Sequence, residues 1–124
     1  MKPKTDLVYL KHILEAVEKI EDYTKNLTYS EFARKPLVQD GVVRQFMIIG
    51  EAVKNISSQT RKKHENIAWS DIAKMRDKLI HHYFGVDLEV VWKAVKKDVL
   101  ELKKQLLPLT KTPNTAEPEA SRRF

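Results

Sequence analysis

The run Trp69-Ser70-Asp71-Ile72-Ala73-Lys74-Met75-Arg76-Asp77-Lys78-Leu79-Ile80-His81-His82-Tyr83-Phe84-Gly85 decides how this chain is to be read. Ser70 offers a hydroxyl cap and Asp71 a carboxylate at the positive end of a helix dipole, which predicts a helix start at that point. A helix turns about 100° per residue, so Ile72, Met75 and Leu79 share one face, and the pattern holds to about His82 before Gly85 breaks it. Arg76 and Tyr83 fall near the middle of that apolar face. A charged side chain there is costly unless it is paired, or unless the face opens onto a cleft or a second subunit. This third helix is therefore expected to carry chemistry as well as packing.

Upstream, a first helix is expected from about Leu7 to Asn26, capped by Thr5 or Asp6, with Leu10, Ile13, Leu14, Val17, Ile20 and Leu27 at helical spacing. Tyr29 to Lys35 reads as a short capped turn that ends before Pro36. A second helix is expected from Leu37 to Gln59, its main stripe being Val42, Phe46, Ile49, Val53 and Ile56. Met47 and Ile48 point off that stripe and bracket Glu51, a surplus that suits a central helix or a subunit interface. Gly50 lowers helix propensity, and close packing against another helix is the expected reason for it. The polar, basic segment Thr60 to Ile67 reads as a loop. Downstream, Asp87 caps a fourth helix, Val86 and Val91 are spaced as a hydrophobic staple, and Leu88, Trp92, Val95, Val99, Leu102 and Leu106 form a bundle seam. From Pro108 to Phe124 proline recurs without periodicity, and a disordered tail is expected. The predicted architecture is all-α: an antiparallel bundle of four main helices over residues 1–107, with a short extra helical turn and a tail over 108–124.

Composition narrows the function. A chain of 124 residues is one domain, and the absence of cysteine excludes disulfides and thiolate metal sites. No membrane span or signal peptide is expected, which points to a cytoplasmic protein. No metal-ligand spacing or glycine-rich phosphate loop appears, and no cofactor is expected. A net charge of +6 and a pI near 9.5 make contact with phosphates reasonable. Cleaving RNA without a metal requires a base for the ribose 2′-hydroxyl, a cation beside the phosphorane and an acid for the leaving oxygen. Histidine suits the proton transfers and arginine the phosphorane. Arg76 and His81 supply both types, with His82 and Glu51 in reserve. Five residues on a regular helix set Arg76 and His81 about 140° apart. Convergence then requires a loosened helix near Ile80, a reaching arginine or a second subunit. Taken singly, each residue has a plainer role: Arg76 paired with Glu51, His81 on a helix C-terminus, Tyr83 as a core aromatic. The cations Arg61, Lys62 and Lys63 read as a solvated loop.

Arg76, His81 and Tyr83 form an Arg-x4-His-x-Tyr pattern that continues as Phe84-Gly85-Val86-Asp87-Leu88-Glu89-Val90-Val91-Trp92. With Ile48-Ile49-Gly50-Glu51-Ala52 and Trp69, it resembles the HEPN-domain ribonuclease toxins of the HepT family, over about Leu7 to Leu106. That resemblance implies a homodimer whose third helices meet, two copies of the motif lining one cleft. It implies a metal-independent endoribonuclease that leaves a cyclic phosphate end, with Arg76 holding the phosphate and His81 as acid or base. It further implies a toxin–antitoxin pair in which an MNT-type nucleotidyltransferase partner transfers AMP to Tyr83, adding charge and bulk that repel RNA. Asp77 stands where the family often has asparagine, and His82 where it often has a small residue. Two other classes compete with this one: a non-catalytic dimeric module that binds and regulates a nucleotidyltransferase, and a bundle that binds a mononucleotide in the same cationic cleft.

Overall fold

A computed structural model describes residues 4–81 and 87–110, leaving out the side chains of residues 4, 5, 80 and 81. Among the described residues seven α-helices succeed one another: α1 (Lys4–Thr24), α2 (Tyr29–Ala33), α3 (Pro36–Lys54), α4 (Ser58–Lys63), α5 (Trp69–His81), α6 (Leu88–Lys93) and α7 (Val99–Thr110). A π-helical turn, Ala94–Asp98, joins α6 to α7, and the residues flanking it keep right-handed helical dihedrals, so 88–110 is one long rod. No strand occurs among the described residues. The all-α bundle of four main helices stands as expected, the four being α1, α3, α5 and the α6–α7 rod.

The heptad-like stripes account for the packing. Leu10, Ile13, Val17 and Ile20 of α1 are fully buried against Val42, Phe46, Ile49 and Val53 of α3, which is the central helix, with α1 on one side and α5 on the other. Each such side chain removed from water contributes about 1.5–3 kcal/mol before conformational entropy is counted. Val95, Val99, Leu102 and Leu106 close the core from the last rod, which lies along α1. Met47 and Ile48 are half-buried, and Ile48 packs on the core edge.

Several boundaries differ from expectation. α1 stops at Thr24, and Asn26 takes a left-handed φ of 62°, a conformation asparagine tolerates and one that ends a helix. α2 begins with a capping box: Thr28 accepts from the Glu31 amide while the Glu31 carboxylate accepts from the Thr28 amide at 2.9 Å. Hydrogen bonds donated to it by the Thr28 amide and hydroxyl hold the Glu31 carboxyl below its ordinary pKa. The expected loop at 60–67 is a correction: α3 ends at Lys54, and Ser57 caps a separate helix, α4, over Ser58–Lys63. The cause lies far upstream. Asp6, only 1% exposed, accepts hydrogen bonds from the Ser57 amide (3.0 Å), the Ser57 hydroxyl (2.6 Å) and the Thr60 hydroxyl. Asp6 therefore serves as an anchor for α4 rather than as an end cap. Ser70 is likewise not a cap, because α5 starts one residue earlier at Trp69, whose indole donates to the His64 carbonyl at 3.0 Å. Asp87 caps α6 as expected, accepting from the Glu89 and Val90 amides, and Val91 is buried; Val86, its expected staple partner, lies outside the described residues. α7 runs through Pro108 to Thr110, so the helix outlasts the end expected at 107; residues 111–124 lie outside the described ones.

Candidate active site on α5

α5 is carried mainly by α3, and the place where they cross is fixed by one glycine. A Cβ on Gly50 would overlap the Cβ of Arg76 and stand 3.1 Å from its Cγ and Cδ. The missing side chain is thus filled by the arginine stem, which lies flat across α3, as the low propensity of Gly50 led us to expect. The guanidinium emerges at the edge of the helix pair with its side chain 24% exposed.

Two carboxylates meet it there. Arg76 Nε lies 3.3 Å from Glu51 Oε1, and Arg76 Nη1 donates to Asp77 Oδ1 at 3.3 Å. Lys54 Nζ stands 3.4 Å from that same Asp77 oxygen. Among the described residues these contacts form a cluster, Lys54–Asp77–Arg76–Glu51, open to solvent on the carboxylate side, where Glu51 is 60% and Asp77 49% exposed. In that setting each pair contributes at most about 1 kcal/mol, and an incoming phosphate can displace a carboxylate at modest cost. The cluster therefore works as a guanidinium held in place and left reachable. Lys54 is the member that sequence reasoning missed. Its signal was weak but present: it stands three residues after Glu51 on α3, on the same helical edge.

The other expected residues are placed only in part. α5 is α-helical over Trp69–His81, so the backbone does not loosen around Ile80 within that range. Five regular residues raise His81 about 7.5 Å above Arg76 and rotate it about 140° away. The imidazole of His81 lies outside the described side chains, and His82 and Tyr83 lie outside the described residues. Arg61, expected on a loop, donates to the Val53 carbonyl and so closes the C-terminus of α3, while Lys62 and Lys63 stay exposed on α4. Among the described residues no group of three histidine or acidic side chains could hold a metal ion, and no helix is long and apolar enough to cross a membrane.

The chain has clear relatives among known proteins. A family model described as ribonuclease HepT-like matches residues 13–109. The probable ribonuclease HepT of Thermococcus cleftensis is 46% identical over 103 residues, which cover 83% of this chain and 94% of that one. A protein of Caldanaerobacter subterraneus subsp. tengcongensis, named "Putative RNase TTE0752", is 43% identical over 103 residues, 83% of this chain and 92% of its own. A longer protein of Methanocaldococcus jannaschii, named "Gamma-glutamylcyclotransferase and putative RNase MJ0434", is 48% identical over 102 residues; the match covers 82% of this chain but only 46% of that protein. No solved structure matches the chain.

Proposed function

Since the chain belongs to the HepT-like ribonuclease family, whose model covers most of its length, we propose that it is a metal-independent endoribonuclease acting through Arg76 and His81 of α5. The observation that carries this reading is the seat of Arg76. A guanidinium laid across Gly50, about a quarter exposed and countered, among the described residues, by two solvent-facing carboxylates, is what a phosphate-binding group requires.

In the proposed reaction a histidine base removes the proton of a ribose 2′-hydroxyl. The 2′-oxygen attacks phosphorus, the phosphorane charge rests against Arg76, and the bond to the 5′-oxygen breaks as that oxygen takes a proton from a histidine acid. The products are a 2′,3′-cyclic phosphate and a 5′-hydroxyl. The regular course of α5 bears on how base and cation meet. With Arg76 committed to the α3 edge and His81 a further 140° around the helix, one protomer does not bring them together by unwinding before His81. That supports a homodimer joined through α5, in which the arginine of one copy faces the histidine of the other. Tyr83, two residues beyond His81, is the proposed AMP acceptor. A nucleotidyltransferase antitoxin is the proposed partner, so the pair forms a toxin–antitoxin system.

A second reading has an observation of its own. Glu51 and Asp77 both neutralise Arg76, as suits a dimeric module that regulates a nucleotidyltransferase without cutting RNA. One experiment separates them. Purified protein is incubated with total RNA in EDTA beside the Arg76→Ala and His81→Ala variants, with circular dichroism as a check on folding. Cleavage by the wild type alone, with cyclic-phosphate ends, supports the nuclease. Cleavage that EDTA abolishes overturns the mechanism, and no cleavage of any RNA pool favours the regulatory module. Intact mass after co-expression with a nucleotidyltransferase tests the partner: added AMP units absent from Tyr83→Phe are expected.

A further inference from the structure

The seam between α5 and the last rod is not closed. An apolar groove of about 210 Å³ runs along it, floored by Phe46 and Ile49 of α3, and walled by Ile72 and Met75 of α5 and by Val99 and Leu102 of the rod. Its rim is acidic. Asp71, Asp98 and Glu101 stand along it, all exposed, and none forms an ion pair with a described residue. The π-helical turn ends at Asp98 and so helps set that rim, since a π turn takes up an extra residue and rotates the helix beyond it. An acidic rim on a chain of net charge +6 is unsuited to RNA. Neither Arg76 nor Asp77 lines the groove, although Ile72 in its wall lies only about 40° from Arg76 around α5, so groove and charge cluster are neighbours on that helix.

We propose that the groove is occupied by the chain's own C-terminal segment, with the Phe124 ring between α5 and α7 and Arg122 and Arg123 on the acidic rim. Three features favour this occupant. First, size: an apolar cavity of about 150 Å³ suffices for a benzene ring, and Phe124 is the one aromatic residue after Trp92. Second, charge: two guanidinium groups directly precede that ring, matching a rim of three carboxylates, and planar arginine forks suit carboxylates bidentately. Third, reach: Gln105 lines the groove about 7.5 Å before the end of α7, and the groove extends back to Ala94, about 16 Å further. The fourteen residues 111–124 span at most about 46–50 Å when extended, enough to turn back and cover that distance. A tether this short gives an effective concentration in the millimolar range, so a single ring and two ion pairs can hold the segment without high intrinsic affinity. A docked segment would brace α5 against the rod.

The test uses the full chain and its three methionines, Met1, Met47 and Met75, of which Met75 lines the groove. With the methionine methyls labelled with carbon-13, the Met75 methyl is expected upfield from ring current, with a cross-peak to the Phe124 ring. In Phe124→Ala it should move downfield while Met47, the monitor of the fold, stays in place. Arg122→Glu with Arg123→Glu should reproduce that move, and dilution should leave the wild-type spectrum unchanged. A Met75 resonance indifferent to Phe124→Ala overturns the proposal. So does a resonance indifferent to the double arginine substitution, or an upfield position lost on dilution, which would assign the groove to a second copy of the chain.

Discussion

Gly50 and Arg76 are a matched pair, and the match is steric before it is electrostatic. Gly50→Ala would gain about 1 kcal/mol of helix propensity in isolation. Here the new methyl would meet the arginine stem at its Cβ, which cannot swing away as a side-chain tip could. Overpacking of this kind costs about 1–3 kcal/mol. The expected outcome is a net loss of stability in urea titration, with RNA cleavage falling further than stability alone explains because the guanidinium is pushed off its seat. Asp77 makes a different prediction. Its carboxylate touches both Arg76 and Lys54 at the exposed edge, so Asp77→Asn should change stability by no more than about 1 kcal/mol. It should also tighten RNA binding by up to about fivefold, read by fluorescence anisotropy in a His81→Ala background at low salt. Weaker RNA binding in that variant would mean Asp77 positions Arg76 rather than competing for it. This neighbourhood was legible in sequence because Arg76 is a charge on an apolar stripe and Gly50 a helix breaker in mid-helix. Lys54 was harder to see, since an exposed lysine at a helix end is ordinary until its partner across the helix pair is known.

The elements show where local patterns stop being informative. α1, α3 and the seam of the last rod follow apolar periodicity, and their buried residues are the ones that spacing picks out. α4 does not: Ser57 is a local cap that accepts from the Thr60 amide, but the carboxylate that anchors this turn, Asp6, lies more than fifty positions upstream, beyond any local window. The π-helical turn escapes for a related reason: the steps from Val91 to Val95 to Val99 suit an α-helical and a π-helical course alike. The Asp6 anchor has a measurable consequence. Its carboxylate accepts from the Ser57 amide and from the Ser57 and Thr60 hydroxyls in a buried site, and removing it leaves those donors without that acceptor. Hydrogen bonds to a charged group are worth about 1.5–3 kcal/mol each, though not additively. Asp6→Ala is expected to cost at least about 2 kcal/mol in chemical denaturation. Loss of helical signal from α4 should accompany it, whereas Asp22→Ala, at an exposed position of the same helix, should cost under about 0.5 kcal/mol.

At the scale of the molecule, the long helices are unequally supported. α3 has neighbours on both sides, α1 lies between α3 and the last rod, and α5 rests mainly on α3, with an open groove between it and the rod. Amide protection should track that inequality. In hydrogen–deuterium exchange measured by mass spectrometry, peptides from α1 and α3 should exchange only through global unfolding. α5 should open as a separate unit at lower free energy, and Gly50→Ala should widen the difference. Equal protection of α5 and α3 would show that the bundle opens as one body. An inhibitor need not imitate RNA on such a scaffold: a small hydrophobic cation lodged beside Met75 would change how readily the neighbouring helix lifts away, and so influence turnover without ever meeting the scissile bond.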